Sequence, residues 1–127
     1  RNKYVYDGGQ FLSSFVWSDD GNLIGESNYN EDGIMHGKQY VAHTNGYLWA
    51  EVHMKDDLFH GSVTFGYENG QTEFKANFKD NIQVGNFTLW DENGQILAET
   101  VFKNGKCTGQ DCNLDIVKNF NIFERLK

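Results

Sequence analysis

The chain has 127 residues and a formal charge of −7, and it is rich in aromatic residues and Gly but contains no Pro. This length fits a single domain with a modest core, and no apolar run is long enough to predict a transmembrane helix. The negative charge argues against nucleic acid and anionic membrane surfaces as partners, because both require a basic face.

The chain begins with a pattern that predicts an irregular hairpin. Residues 1–13 contain short aromatic stretches on either side of the turn residues Gly8-Gly9. A further turn is predicted at Asp20-Gly21. We interpret residues 1–13 as an N-terminal cap, because the terminal units of repeat arrays are commonly atypical.

A period of 24 residues governs the chain from Asp32 to Gly109, within a stretch of about four repeats over residues 14–109, and it becomes irregular toward the N-terminus. Three rows of residues that are typical of turns recur with this period. They are the framing glycines Gly37, Gly61, Gly85 and Gly109; the pairs Asn45-Gly46, Asn69-Gly70 and Asn93-Gly94; and the pairs Asp32-Gly33, Asp56-Asp57, Asp80-Asn81 and Asn104-Gly105. Such a fixed period identifies a tandem array, here of about four hairpin repeats.

The Asn-Gly pairs predict two-residue type I′ turns, in which both central residues have positive φ. With these turns the flanking strands alternate between an apolar and a polar face. The apolar face comprises Val41, Leu48, Ala50, Val52, Met54, Val63, Phe65, Phe74, Ala76, Phe78, Phe87, Leu89, Ile96, Ala98 and Phe102, and the polar face comprises Glu51, His53, Glu73, Lys75, Asn77, Thr88 and Glu99. In the same register the framing glycines lie opposite Met54, Phe78 and Phe102. We therefore predict an all-β fold, an antiparallel meander of nine or ten strands.

After residue 110 the apolar spacing becomes helical, with Leu114, Val117 and Phe120 followed by Phe123 or Leu126. This spacing predicts a short helix over 114–126, capped by Asp111 or Asn113. Residues 110–127 would then form a helical cap. It is expected to cover either the last strand edge or part of the apolar face.

The two cysteines, Cys107 and Cys112, are five residues apart and leave two interpretations open. Cys107 lies on the apolar face, where a buried thiol is the ordinary outcome. A disulfide would instead tie the last strand to the helix in an exported protein. The spacing does not fit a redox or metal motif.

Two stretches carry a resemblance to a known family. Tyr67-Glu-Asn-Gly-Gln-Thr-Glu followed by Phe78-Lys-Asp-Asn-Ile-Gln-Val-Gly85, and Trp90-Asp-Glu-Asn-Gly-Gln-Ile-Leu-Ala-Glu followed by Phe102-Lys-Asn-Gly-Lys-Cys-Thr-Gly109, resemble the bacterial variant of the MORN repeat. The resemblance implies a hairpin-repeat fold and a role as an antitoxin, immunity or exported interaction protein. The sequence departs from the family pattern at Ala42 and Gly66, where an aromatic is common, and at Lys75, where an acidic residue is expected.

Four aromatic residues project to the polar side in the predicted register: Trp17, Tyr40, Trp49 and Trp90. Aromatic side chains are enriched at binding surfaces. Glu26, Glu51 and Glu99 occupy equivalent positions and are expected to form a ladder on the same face. We take Trp17, Tyr40, Trp49, Trp90, Glu51 and Glu99 as candidate partner-binding residues, while the glycines of the first two rows are structural.

The sequence contains no nucleophile motif and no phosphate-binding loop, so we predict neither an enzyme nor a cofactor. His53 and His60 face each other across a predicted turn. Structural zinc usually has four ligands, and a third ligand would have to come from Glu51 or Ser62. We therefore predict two exposed histidines rather than a metal site.

The favoured function is a non-catalytic module that binds another protein, with a cationic partner favoured by the charge. The chain begins at Arg1 rather than Met, which favours an exported bacterial protein whose leader was removed. One alternative is a carbohydrate-binding module that stacks sugars on Trp and Tyr. Others are an accessory region of a longer enzyme and self-association through open sheet edges.

Overall fold

The computed structural model describes residues 1–126, and this part of the chain forms ten strands and two short helices. The strands are β1 (Asn2–Asp7), β2 (Gln10–Trp17), β3 (Leu23–Asn28), β4 (Gly37–Ala42), β5 (Leu48–Lys55), β6 (Leu58–Gly66), β7 (Thr72–Lys79), β8 (Ile82–Trp90), β9 (Ile96–Lys103) and β10 (Lys106–Cys107), and the helices are α1 (Asp115–Lys118) and α2 (Ile122–Arg125). All ten strands lie in one antiparallel sheet in chain order, which confirms the predicted meander.

The framing glycines occupy the predicted register. The sheet pairs Gly37 with Met54, Gly61 with Phe78 and Gly85 with Phe102. A large side chain beside a strand glycine covers backbone that would otherwise be exposed. Gly109 lies close to Thr100: a Cβ atom added at Gly109 would lie 2.8 Å from the Thr100 hydroxyl oxygen.

The prediction of type I′ turns at the Asn-Gly pairs is wrong. The N–H of His43 bonds to the carbonyl of Tyr47, and the N–H of Gly46 bonds to the carbonyl of His43, so the loop has three residues, 44–46. Only Gly46 in this loop has a positive φ, of 94°. In the repeats, the turns with positive φ at both central residues lie at the other end of the hairpins, at Asp56-Asp57, Asp80-Asn81 and Asn104-Gly105.

The Asn side chains explain why the longer loops form. Oδ1 of Asn45 accepts the N–H of Tyr47 at 3.0 Å, while Nδ2 of Asn45 donates to the carbonyl of Glu68 in the next loop at 2.6 Å. Asn69 makes the equivalent bond to the carbonyl of Glu92 at 2.8 Å. Each of these asparagines therefore stabilises its own loop and ties it to the following repeat.

A single-residue bulge follows each of these loops and changes the face on which one side chain lies. Ala42 pairs with Leu48 while Val41 pairs with Ala50, which leaves Trp49 unpaired. The same irregularity leaves Glu73 and Leu97 unpaired in the next two repeats. A bulge re-aims the side chain of the extra residue.

Trp49 and Glu73 were both predicted on the polar face, and this prediction is wrong. The Trp49 ring lies edge-on to Phe65 of the core, with 5.4 Å between ring centroids. The carboxylate of Glu73 contacts Arg125 of α2, which packs over the apolar face. The bulges therefore bring one residue of each repeat to the rim of the core.

The core lies on the predicted face, between the sheet and the C-terminal residues. Its buried apolar side chains are Ala50, Val52, Phe59, Val63, Phe65, Phe74, Ala76, Phe78, Phe87, Leu89, Ala98, Val117 and Ile122. Val41 and Ile96 were predicted on this face, but they are 45% and 57% exposed. Val41 precedes the strands that the C-terminal residues cover, and Ile96 lies at the loop end of β9.

The C-terminal segment, residues 110–126, covers part of the apolar face, which was one of the two predicted positions. The helix predicted over 114–126 is instead two single turns, and Asn121 begins the second one by accepting the N–H of Phe123 at 2.9 Å. Neither Asp111 nor Asn113 caps α1, which begins after Leu114 without a side-chain cap. The interruption allows the Phe120 ring to pack on the rings of Phe74 and Phe87, at 4.8 and 4.7 Å.

A disulfide joins Cys107 to Cys112, so the interpretation of Cys107 as a buried free thiol is wrong. The bond connects β10 to the start of the C-terminal segment. The hydroxyl of Thr100 lies 3.2 Å from the sulfur of Cys107. The segment is therefore held to the sheet covalently at one end and by aromatic packing further along.

Candidate functional site

Two adjacent cavities lie where the C-terminal segment meets the loop ends of β6–β9. One has a volume of about 300 Å³ and is lined by Leu97 and Phe120, among others. The other, of about 490 Å³, extends toward the Asn-Gly loops. Tyr67, Glu73 and Arg125 line both cavities, and we call the combined depression the Arg125 groove.

An ion pair divides the two halves of the Arg125 groove. Nη2 of Arg125 lies 3.1 Å from Oε2 of Glu73, and the guanidinium carbon lies 5.4 Å from the centroid of the Phe74 ring. A cation at this distance from a ring face is attracted by the ring quadrupole. Arg125 is therefore held by a carboxylate and an aromatic face together.

The aromatic walls of the groove are tied to the repeat structure. The hydroxyl of Tyr67 donates to the carbonyl of Trp90 at 2.7 Å, one repeat further along. His43, the equivalent residue of the preceding repeat, contacts the carbonyl of Gly66 through Nε2 at 2.8 Å. Trp49 lines the larger cavity and Trp90 the smaller one. Two of the four predicted aromatic residues therefore lie at this site.

The other predicted residues lie elsewhere. Tyr40 pairs with Glu51 and Glu26, and the same cross-strand row continues through Thr64, Lys75 and Thr88 to Glu99. The three glutamates thus share one row, with Lys75 between two of them. Trp17 stacks on Phe15 at 5.9 Å near the N-terminus, under the guanidinium of Arg1. None of these residues lines the Arg125 groove.

The histidines are distributed among different partners. His53 lies 3.4 Å from Glu51, and Nδ1 of His60 lies 3.3 Å from Asp80, although the geometry of the second contact does not make a hydrogen bond. Among residues 1–126, no three His, Cys, Asp or Glu side chains are grouped so that they could hold a metal ion.

Electrostatics in the groove act on Tyr67. Burial raises the pKa of the Tyr67 hydroxyl above its ordinary value, and the negative charges of Glu73 and Glu92 raise it further, while Arg125 acts in the opposite direction. The folded protein therefore holds this proton more tightly than the unfolded chain does. Above pH of about 10, where an ordinary tyrosine ionises, the stability that depends on neutral Tyr67 is lost as the pH rises.

We expect the tyrosinate absorbance of Tyr67 to develop above the ordinary pKa of tyrosine. The measurement is the difference between the alkaline titrations of the wild type and Tyr67→Phe. Glu73→Gln should move this difference to lower pH, because it removes a negative charge beside the hydroxyl. A difference curve that is centred at the ordinary value, or that Glu73→Gln does not move, would contradict the assignment.

Tyr67, Glu73 and Arg125 were not among the site residues predicted from the sequence. A signal for Glu73 exists, because the equivalent residues of the neighbouring repeats, Trp49 and Leu97, are apolar. A carboxylate at a repeat position that is otherwise apolar indicates a cationic partner. That partner comes from the C-terminal segment, and the repeat pattern does not contain it.

A sheet of 24-residue hairpins that stack in chain order defines a repeat module. The family model for the MORN repeat variant matches residues 59–80 and 83–104, which correspond to the hairpins β6–β7 and β8–β9. MORN repeats are non-catalytic modules that generally bind proteins or membranes. No curated protein matches the chain.

Within residues 1–126, no helix has the length and apolar character needed to cross a membrane.

Proposed function

We propose that this chain is a non-catalytic module that binds a cationic segment of another protein through the Arg125 groove. The lining of the groove is the main support for this proposal. It combines the rings of Trp49, Tyr67 and Trp90 with several carboxylates and with apolar side chains of the C-terminal segment. Aromatic side chains supply contact area at protein interfaces. The formal charge of −7 would speed the approach of a positively charged partner.

The disulfide supports an exported form of this proposal, because disulfides persist in oxidising compartments. An antitoxin-like or immunity-like role is the form in which the partner is a cationic toxin. Both forms predict one protein partner that contacts the groove, so a single experiment addresses them.

The test is site-specific photo-crosslinking of the full chain in lysate and medium of its source organism. The crosslinking residue replaces Leu97, which lines the groove and is 48% exposed. In the matched control it replaces Val101, which is 41% exposed and lies outside the groove. We expect one stoichiometric protein adduct at position 97 and none at position 101. Equal labelling at both positions, or no protein adduct, would contradict the proposal.

A further inference from the structure

The carboxylates of the Arg125 groove favour a positive charge within it. The Glu73 side chain is only 15% exposed, while that of Arg125 is 44% exposed. A carboxylate that is largely removed from water is costly unless a cation pairs with it. Glu68 and Glu92 line the same cavity, so the field in the groove favours a cation further.

The chemistry of the groove favours a guanidinium over other cations. A guanidinium is planar, pairs with carboxylates through two donors and stacks on aromatic faces. Arg125 contacts the Glu73 carboxylate through Nη2, at 3.1 Å, and lies over the Phe74 ring. The rings of Trp49, Tyr67 and Trp90 provide further aromatic surface along the groove.

Arg125 lies on a short helix. Its helix, α2, is a single turn of four residues, and a helix of that length has no stability of its own in water. Ile122 is the buried residue of this turn, and Arg125 lies at its C-terminal end. Exchange of Arg125 for another cation on Glu73 would therefore involve this turn and no strand of the sheet.

We propose that the Arg125 groove is a binding site for an arginine side chain of a partner protein, and that Arg125 fills this site in the free protein. The partner's arginine then takes the place of Arg125 on Glu73 and Phe74. This inference rests on the proposed function, since it names the chemistry by which the partner is recognised. Because the internal arginine competes, the apparent affinity of the groove is lower than its intrinsic affinity.

The test titrates N-acetyl-L-argininamide into the full chain and follows tryptophan fluorescence and the melting temperature. We expect Arg125→Ala to bind this probe at least about tenfold more tightly than the wild type, because the internal competitor is gone. The probe should also restore part of the melting temperature that the substitution lowers. The neutral citrulline analogue of the probe should bind to neither protein.

Two further variants keep the test decisive. Arg125→Ala combined with Glu73→Gln should lose probe binding, because the carboxylate is gone. Arg125→Lys keeps a charge in the groove and protects the fold, and it should bind the probe more tightly than the wild type, because lysine lacks the planar fork. Equal binding by all variants, or equal binding of the citrulline analogue, would overturn the proposal.

The outcomes separate this inference from the proposed function. A crosslinked partner that Glu73→Gln still captures as well as the wild type would overturn the arginine site and leave the interaction function standing. Specific binding of the probe by Arg125→Ala without any crosslinked partner would support the site and contradict the interaction function.

Discussion

Phe74→Ala is expected to lower the free energy of unfolding by about 3–5 kcal/mol, the cost of removing a buried phenyl ring. Phe74 is fully buried, and its ring stacks on Phe65 at 4.6 Å and meets Phe120 edge-on at 4.8 Å. The substitution removes the ring on which the C-terminal segment packs as well as the centre of the sheet core. Urea unfolding followed by tryptophan fluorescence measures the change.

Phe123→Ala is the matched control for this prediction. Phe123 lies in the same C-terminal segment and touches Phe59 at 5.5 Å, but it is 48% exposed. Truncation there removes less buried surface and leaves a smaller cavity, so the loss of stability should be clearly smaller. If the two substitutions cost the same, the core would not be centred on Phe74.

The sheet and its register could be predicted because they depend on local, periodic features. The 24-residue spacing of the framing glycines gives the number of repeats, and their pairing with large apolar residues fixes the register. A one-residue slip would have buried Lys75, so the alternation of the strands excludes it. These features can be recognised within one hairpin, without knowing what packs on it.

The faces of Trp49 and Glu73 could not be predicted in this way. An Asn-Gly pair is compatible with a two-residue turn or with a three-residue loop in which Gly takes the left-handed position. The longer loop is followed by a one-residue bulge, and together they restore the strand register that the shorter turn would give. The pairing of the strand residues beyond the bulge is therefore the same for both kinds of loop. The bond from Asn45 to the carbonyl of Glu68 favours the longer loop, and it exists only between stacked repeats.

The Arg125 groove could not be predicted from the sequence, for a related reason. Glu73 and Arg125 lie far apart in the sequence, and Arg125 belongs to a segment outside the repeat. The helical spacing predicted one helix over 114–126, but an uninterrupted helix would turn the apolar residues of this segment in other directions. The interruption at Asn121 is what allows Val117 and Ile122 both to be buried.

Gly66→Ala is expected to lower the free energy of unfolding by about 1–3 kcal/mol, the usual cost of overfilling a packed site. Gly66 stands where the resemblance to the MORN repeat variant leads one to expect an aromatic residue, and Trp90 stands at the equivalent position of the next repeat. A Cβ atom on Gly66 would collide with the backbone carbonyl of Leu48. Gly66→Trp, which restores the family pattern, should therefore destabilise the protein even more.

Gly25→Ala provides the comparison, because neither Gly25 nor Gly66 has a positive φ. At Gly25 an added Cβ would make only ordinary contacts, with the Val16 side chain at 3.6 Å and with the Tyr40 carbonyl oxygen at 3.9 Å. Replacing such a glycine should be neutral or should stabilise by up to about 1 kcal/mol, since it restricts the unfolded chain. Opposite signs for the two alanine variants in urea unfolding would establish that the close approach of β5 and β6 excludes an aromatic residue from this repeat. Equal stabilities would mean that the strands can move apart, and the departure from the family pattern would then have no structural cause.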